Sequence, residues 1–364
     1  MRRRLHLLPA CLLAALLAGG CATAPEDPFE PPVYPPPPNE ARFIYEMTVV
    51  SSAQIEEEDG ESRLKQLLTG VSSQRQGVGF SKPYDAVACD GTVYVSDSVS
   101  RVVYGLDFRE QEFLEIGVEE PGSLRKPLGL AVDAACNLYV ADFTNARVVV
   151  YDAEGEYLDA LGGKQWFSRL SHVAVSADGS RVFAVDTGGV SDPQAHRIRV
   201  FERSTGDHLY DIGTRGTGDG EFNLPKDAEI GPDGLLYVVD SGNFRIQVFE
   251  QDGTFLRTFG GIGSRSGQFS RPKGIALDPE GRVYVADAAF GNFQIFTPEG
   301  ELLLFVGDRS ETGGPGLYML PAGIDVDQDG RVYFVDQFFR KVDVFRPAGL
   351  EPGLGSGGPA QAKN

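Results

Sequence analysis

The side chains of this sequence with chemistry to offer are few, and most are acids. Asp85, His172 and Asp227 each stand two residues after the Pro or Leu that opens a short apolar run (Pro83, Leu170 and Pro225). At the matching place three other runs carry Gly129, Gly274 and Gly323. Two further acids, Glu229 and Asp325, lie inside such runs where three of the six copies have Ala. A carboxylate in an apolar run must find a partner or a cation. Lys226 and Lys273, in the same positions of neighbouring copies, can supply charge. Carboxylate oxygens also suit Ca²⁺, for which Asp85 and Asp227 are the candidate ligands. The plain alternative is a polar lining wetted by water. Beyond the first twenty residues the histidines are His172, His196 and His208, and only His172 falls at such a position. That is too few for a tetrahedral zinc site. No Gly-x-Ser-x-Gly elbow is present and no Cys/His dyad falls in an expected pocket.

These residues must be positioned by a repeat. An aromatic-Val-Asp core recurs six times, ending at Asp97, Asp142, Asp186, Asp240, Asp287 and Asp336, spaced 45, 44, 54, 47 and 49 residues apart. Each copy has a strand such as Pro272-Lys273-Gly274-Ile275-Ala276-Leu277, a Gly turn, and the aromatic-Val-Asp strand. An Arg-Ile-x-Val-Phe strand (Arg245 to Phe249) and an outer strand (Phe255 to Phe259) follow. Four short strands per unit with a period in the forties predict a propeller.

The pattern Pro-x-Gly-Ile-Ala, Tyr-Val-Ala-Asp and Arg-Ile-x-Val-Phe resembles NHL repeats over roughly residues 80–347. The resemblance implies an all-β, six-bladed β-propeller; it does not imply one function, since such propellers serve enzymes, scaffolds and sensors. The last copy ends at its third strand, Val342 to Phe345. The segment 42–50 is the unassigned strand-like run and is expected to close the ring, removing an exposed edge. The departures from Gly at Asp85, His172 and Asp227 then line the mouth of the central channel, with Lys226, Lys273, Glu229 and Asp325 nearby. Local rules tend to break at functional sites, so these seven residues form the candidate site. Loops after the second strands bring Phe143, Phe290, Phe293, Phe338 and Phe339 to the same face as an aromatic platform for a partner.

Outside the propeller the reading is one of sorting and tethering. Met1-Arg2-Arg3-Arg4, an apolar run from Leu7 to Leu17 and Leu17-Ala18-Gly19-Gly20-Cys21 resemble a bacterial lipoprotein signal over residues 1–20. The apolar run is too short to span a bilayer. The resemblance implies acylation of Cys21, and Ala22 in place of Asp favours the outer membrane. Residues 21–41 are a Pro-rich, acidic tether, Ser62 to Thr69 a short helix or turn, and residues 348–364 a disordered tail. Cys89 and Cys136 occupy the same turn of adjacent blades, and in an oxidising compartment they are expected to pair. The chain carries 52 acidic and 33 basic residues, a field that repels phosphate backbones, so nucleic acid is not expected. The expected function is a monomeric, lipid-anchored envelope binding or scaffold protein for a protein or polymer. The alternative is a metal-dependent lactonase-, hydrolase- or lyase-like propeller using channel carboxylates.

Overall fold

The computed structural model describes residues 29–55, 77–189, 192 and 194–354. The signal, Cys21 and the helix or turn expected at 62–69 lie outside them.

Six four-stranded antiparallel blades follow one another along the chain. Their inner strands are Pro83–Cys89, Pro127–Val132, Leu170–Val175, Pro225–Ile230, Pro272–Leu277 and Pro321–Val326. Each packs against the next, and the sixth against the first, which closes the ring around a channel. The second strands, Thr92–Asp97, Leu138–Asp142, Leu236–Asp240, Val283–Asp287 and Val332–Asp336 among them, are buried on both faces. Their runs of Val, Tyr and Ala follow from this, because both faces of a blade meet neighbours. Outer strands such as Leu302–Val306 alternate between packed and exposed residues, the period-two signature of a half-buried strand.

The core is divided rather than single. Six apolar clusters fill the six gaps between blades. In the sixth blade the outer strand comes from the other end of the sequence. Phe43–Val49 runs antiparallel to Lys341–Pro347, pairing Tyr45 with Phe345 and Val49 with Val342. The strand expected at 42–50 is therefore the closing strand. Buried Glu46 on it receives Arg331 Nε of the same blade at 3.1 Å.

Two segments do more than their composition suggests. Within the Pro-rich stretch, Val33–Tyr34 adds a short fifth strand beside Ile44 and Phe43. Residues 348–354, expected to be disordered with the rest of the tail, fold back on the sixth blade. Arg331 donates to the carbonyls of Glu351 and Gly353, and Leu354 packs on the core between blades six and one. Residues 355–364 lie outside the described residues. Cys89 and Cys136 form the expected disulfide, with Cα atoms 5.8 Å apart.

Candidate functional site

The recurrent aspartates build the platform on which the site stands. All six are fully buried. Asp97 accepts from the N–H groups of Ser81 and Lys82, Asp142 from those of Arg125 and Lys126. Asp186 does the same for Ser168 and Arg169, and Asp287 for Ser270 and Arg271. Most of them also cap the loop that follows their own strand, as with Val99 and Ser100 at Asp97. A short buried acid satisfied by backbone donors is a structural clamp. Its effect here is to fix the residue just before the inner strand in every blade but the fourth, where Asp240 holds Asn223 and Leu224 N–H donates to His196. Among the described residues only the fourth blade's Arg also pairs with its aspartate, Arg245 Nε to Asp240 at 2.9 Å.

Each inner strand then opens with a break in register, for example between Pro83 and Asp85, Leu170 and His172, and Pro225 and Ala228. Such bulges re-aim side chains. Here they turn Asp85, His172 and Asp227 together. His172 Nε2 lies 2.7 Å from Asp85 Oδ2, and Nδ1 lies 2.7 Å from Asp227 Oδ1. The Nδ1–H is not aimed along that second line, so the Asp227 contact is an ion pair rather than a well-formed hydrogen bond. The imidazole of blade three reaches past blade two because Gly129 has no side chain; a Cβ there would overlap the ring. Likewise a Cβ on Gly323 would strike the Asp85 carboxylate. Two of the glycines that keep the repeat's usual residue, Gly129 and Gly323, thus make room for His172 and Asp85, whereas a Cβ on Gly274 would meet the Ala322 carbonyl.

Both carboxylates also accept from backbone donors. Asp85 accepts from the N–H of Leu130 at 2.8 Å and of Ala86 at 3.0 Å. Asp227 accepts from Ile275 at 2.9 Å and Ala228 at 2.7 Å. Each thus ties its blade to the next. Burial works against a charge on the His172 ring, but Asp227 and Asp85 together outweigh it and hold the imidazole well above its ordinary range. Burial raises Asp227, against the pull of the ring. His172 is therefore an imidazolium at neutral pH: a donor on both nitrogens, with no lone pair for a metal and no basicity for catalysis.

Below this bridge Glu229 and Asp325 line the channel. Burial, then Asp325 and Asp227, push Glu229 well up. Burial above all raises Asp325 to about 7, while its Oδ2 accepts from Ala88 N–H at 2.7 Å. Lys226 and Lys273, expected to neutralise these acids, do not. Lys273 Nζ donates to the Pro321 carbonyl at 3.1 Å, on the mouth side, and Lys226 lines the cavity above. Calcium was expected at Asp85 and Asp227. Their oxygens serve backbone donors and the imidazolium, and among the described residues no group of three or more His, Cys, Asp or Glu converges as a metal site.

Above the bridge a cavity of ≈ 170 Å³ opens at the mouth, walled by Lys82, Lys126, Arg169 and Lys226 with Tyr84, Leu128 and Gln337. A second of ≈ 330 Å³ adjoins it through Arg169 and runs past His196, Arg215 and Asn223. Lys82, Lys126 and Arg169 were not among the expected site residues. A signal was available: in four of six copies the residue before the inner strand is basic (Lys82, Lys126, Arg169 and Arg271).

The aromatic platform shrinks. Phe293 is fully buried, packed on Phe334 and Phe345 at 5.0 and 5.7 Å, because it lies within strand Asn292–Phe296 rather than in the loop. Phe143 is half-buried beneath Lys126 Nζ, 4.5 Å from its ring centre. Phe290 and Phe339 are half-buried, and only Phe338 is open, at 56 % exposure.

Comparison with known proteins agrees with this geometry. The family model described as "NHL repeat" matches residues 222–249 and 269–297, the spans of the fourth and fifth blades. The chain is a six-bladed β-propeller carrying NHL repeats. The NHL propeller is 27 % identical over 152 residues to Protein brain tumor of Drosophila melanogaster, a match to 41 % of the chain but 14 % of that relative. Among solved structures, a Bacteroides thetaiotaomicron protein of unknown function superposes with TM-score 0.59 at 16 % identity, covering 82 % of the propeller chain and 75 % of its own. A gluconolactonase from Xanthomonas campestris gives 0.56 at 18 % identity, covering 74 % and 86 %. Virginiamycin B lyase from Staphylococcus aureus gives 0.51 at 15 % identity, covering 71 % and 78 %. At these identities the likeness is one of fold.

Proposed function

We propose that this NHL propeller is a binding protein of the cell envelope, held by an acylated Cys21 and presenting the face that bears the inner-strand starts to its ligand. One observation carries the reading. The groups at the channel throat that could do chemistry are spent on one another, while the open cavities lie above them among loops of several blades. A site that must bind a metal or accept a proton needs accessible lone pairs, and those of Asp85 and Asp227 are engaged by backbone N–H groups and by the His172 ring held between them. What remains is a concave, loop-built surface over a rigid ring, a common site for recognition.

A photo-reactive side chain at Gln337, in the cavity wall, should capture a ligand or partner in cells, and the same group at Arg203 should not. Labelling with fatty acid should disappear in Cys21→Ala. A second reading, a lactonase- or lyase-like enzyme, draws on the fold of the solved neighbours and on Glu229 and Asp325, whose raised affinity for protons suits a general acid. Lactone turnover by purified protein, lost in Glu229→Gln, would replace the binding reading by the catalytic one.

A further inference from the structure

The described residues of both mouth cavities include Lys82, Lys126, Arg169, Lys226, Arg215 and His196, and no carboxylate. This is unexpected in a chain with 52 acids and 33 bases. Lys82, Lys126, Arg169 and Lys226 make no ion pair with an acid among the described residues. Asp97, Asp142 and Asp186, which anchor three of these residues, are occupied by backbone N–H groups, and Asp85 and Asp227 beneath the cavity hold His172 between them. Like charges gathered in a concavity repel one another, and those set deepest also lose hydration. Burial, then Arg169 and Arg271, lowers Lys226 to about 8. Lys273 behind it is also lowered to about 8, by burial first and then by Arg271 and Lys226. The clamps at Asp97, Asp142 and Asp186 fix the backbone of Lys82, Lys126 and Arg169, so the arrangement is built in rather than adventitious.

We infer that this mouth is a binding site for a small multivalent oxyanion, carboxylate or phosphate, with Arg169 as the cation shared by both cavities. The volumes, ≈ 170 and ≈ 330 Å³, suit a compact ligand. A concave wall of one sign focuses potential and draws in the opposite charge even on an acidic protein. Planar guanidinium groups favour carboxylate and phosphate oxygens. The inference rests on the proposed binding face and names the chemistry of its ligand.

The test is calorimetric titration of the full chain at low salt with citrate, with pyrophosphate, and with a single-stranded oligonucleotide. One-to-one binding of citrate or pyrophosphate is expected, and the tighter of the two identifies carboxylate or phosphate. Arg169→Ala and Lys126→Ala should each weaken it by about tenfold or more, and Arg203→Ala, far from the mouth, should not. Both positions are at the surface; Arg169→Lys, which keeps the charge, should retain most of the affinity. Binding should also weaken as pH rises from 7 to 9, because Lys226 and Lys273 lose their protons near 8. No heat with either anion, or equal affinity in the variants, overturns the inference. So does an oligonucleotide that binds more tightly through the same residues. If the anions fail while a cross-linker at Gln337 still captures a partner, only the anion assignment falls. If Glu229-dependent turnover is found, the binding reading falls, whatever the anion titrations give.

Discussion

At the residue scale the chain illustrates how a chemically suggestive constellation can be structural. A histidine between two carboxylates resembles catalytic machinery until its hydrogen bonds are followed. Here every polar atom but one is satisfied, and the ring is held protonated. Removing it leaves Asp85 and Asp227 buried without their counter-charge. His172→Gln should therefore destabilise the protein by about 3–5 kcal/mol near neutral pH, measured by chemical unfolding. The pH dependence has a definite sign. A raised histidine contributes stability that is full below its unfolded value of about 6.5 and is lost as pH climbs through its folded value. The gap between wild type and variant should thus be widest near pH 6–7 and narrow in alkali. A constant gap would mean that packing, not charge, holds the bridge.

At the scale of elements, the connector before each inner strand is the part that matters. It carries the cations, and the aspartate of the second strand anchors it. Asp142 accepts from Arg125 and Lys126 N–H and from the Asn145 side chain at 2.8 Å. Asp142→Ala strands those donors and should cost about 2–4 kcal/mol. It should also weaken anion binding, because Lys126 loses its anchor. Asp142→Asn, which keeps an acceptor, should lose less on both counts. If Asp142→Ala leaves the unfolding midpoint unchanged, the clamp is not what orders the connector.

At the scale of the whole molecule, a closed ring depends on its least local contacts. Blade six is completed by Phe43–Val49, nearly the full chain length from its partner Lys341–Pro347, and such closure must be made late or held by other means. The Cys89–Cys136 disulfide spans 47 residues and ties blade one to blade two. Replacing both with Ser should lower stability by about 3–4 kcal/mol on the chain-entropy estimate, read as a lower denaturation midpoint. Reducing agent should have the same effect on wild type and none on the variant.

The sequence by itself determined the ring. Six aromatic-Val-Asp strands, their Gly turns and the orphan strand at 43–49 have one arrangement that buries every apolar face, and the paired turns brought Cys89 to Cys136. Those features are legible because each follows a local period repeated six times, and repetition averages out the noise of any single copy. The site was legible only as positions. The departures at Asp85, His172 and Asp227 were visible against the glycines at the same place, but not that the three would meet, since His172 of blade three reaches Asp85 of blade one past the missing side chain of Gly129. That contact set a histidine between two carboxylates. Phe293 similarly read as platform and proved core. The basic residues at Lys82, Lys126 and Arg169 looked like surface charges scattered 44 and 43 positions apart. Only closure of the ring set them around one cavity, because the proximity of charges across a channel is a property of curvature, which no stretch of sequence contains.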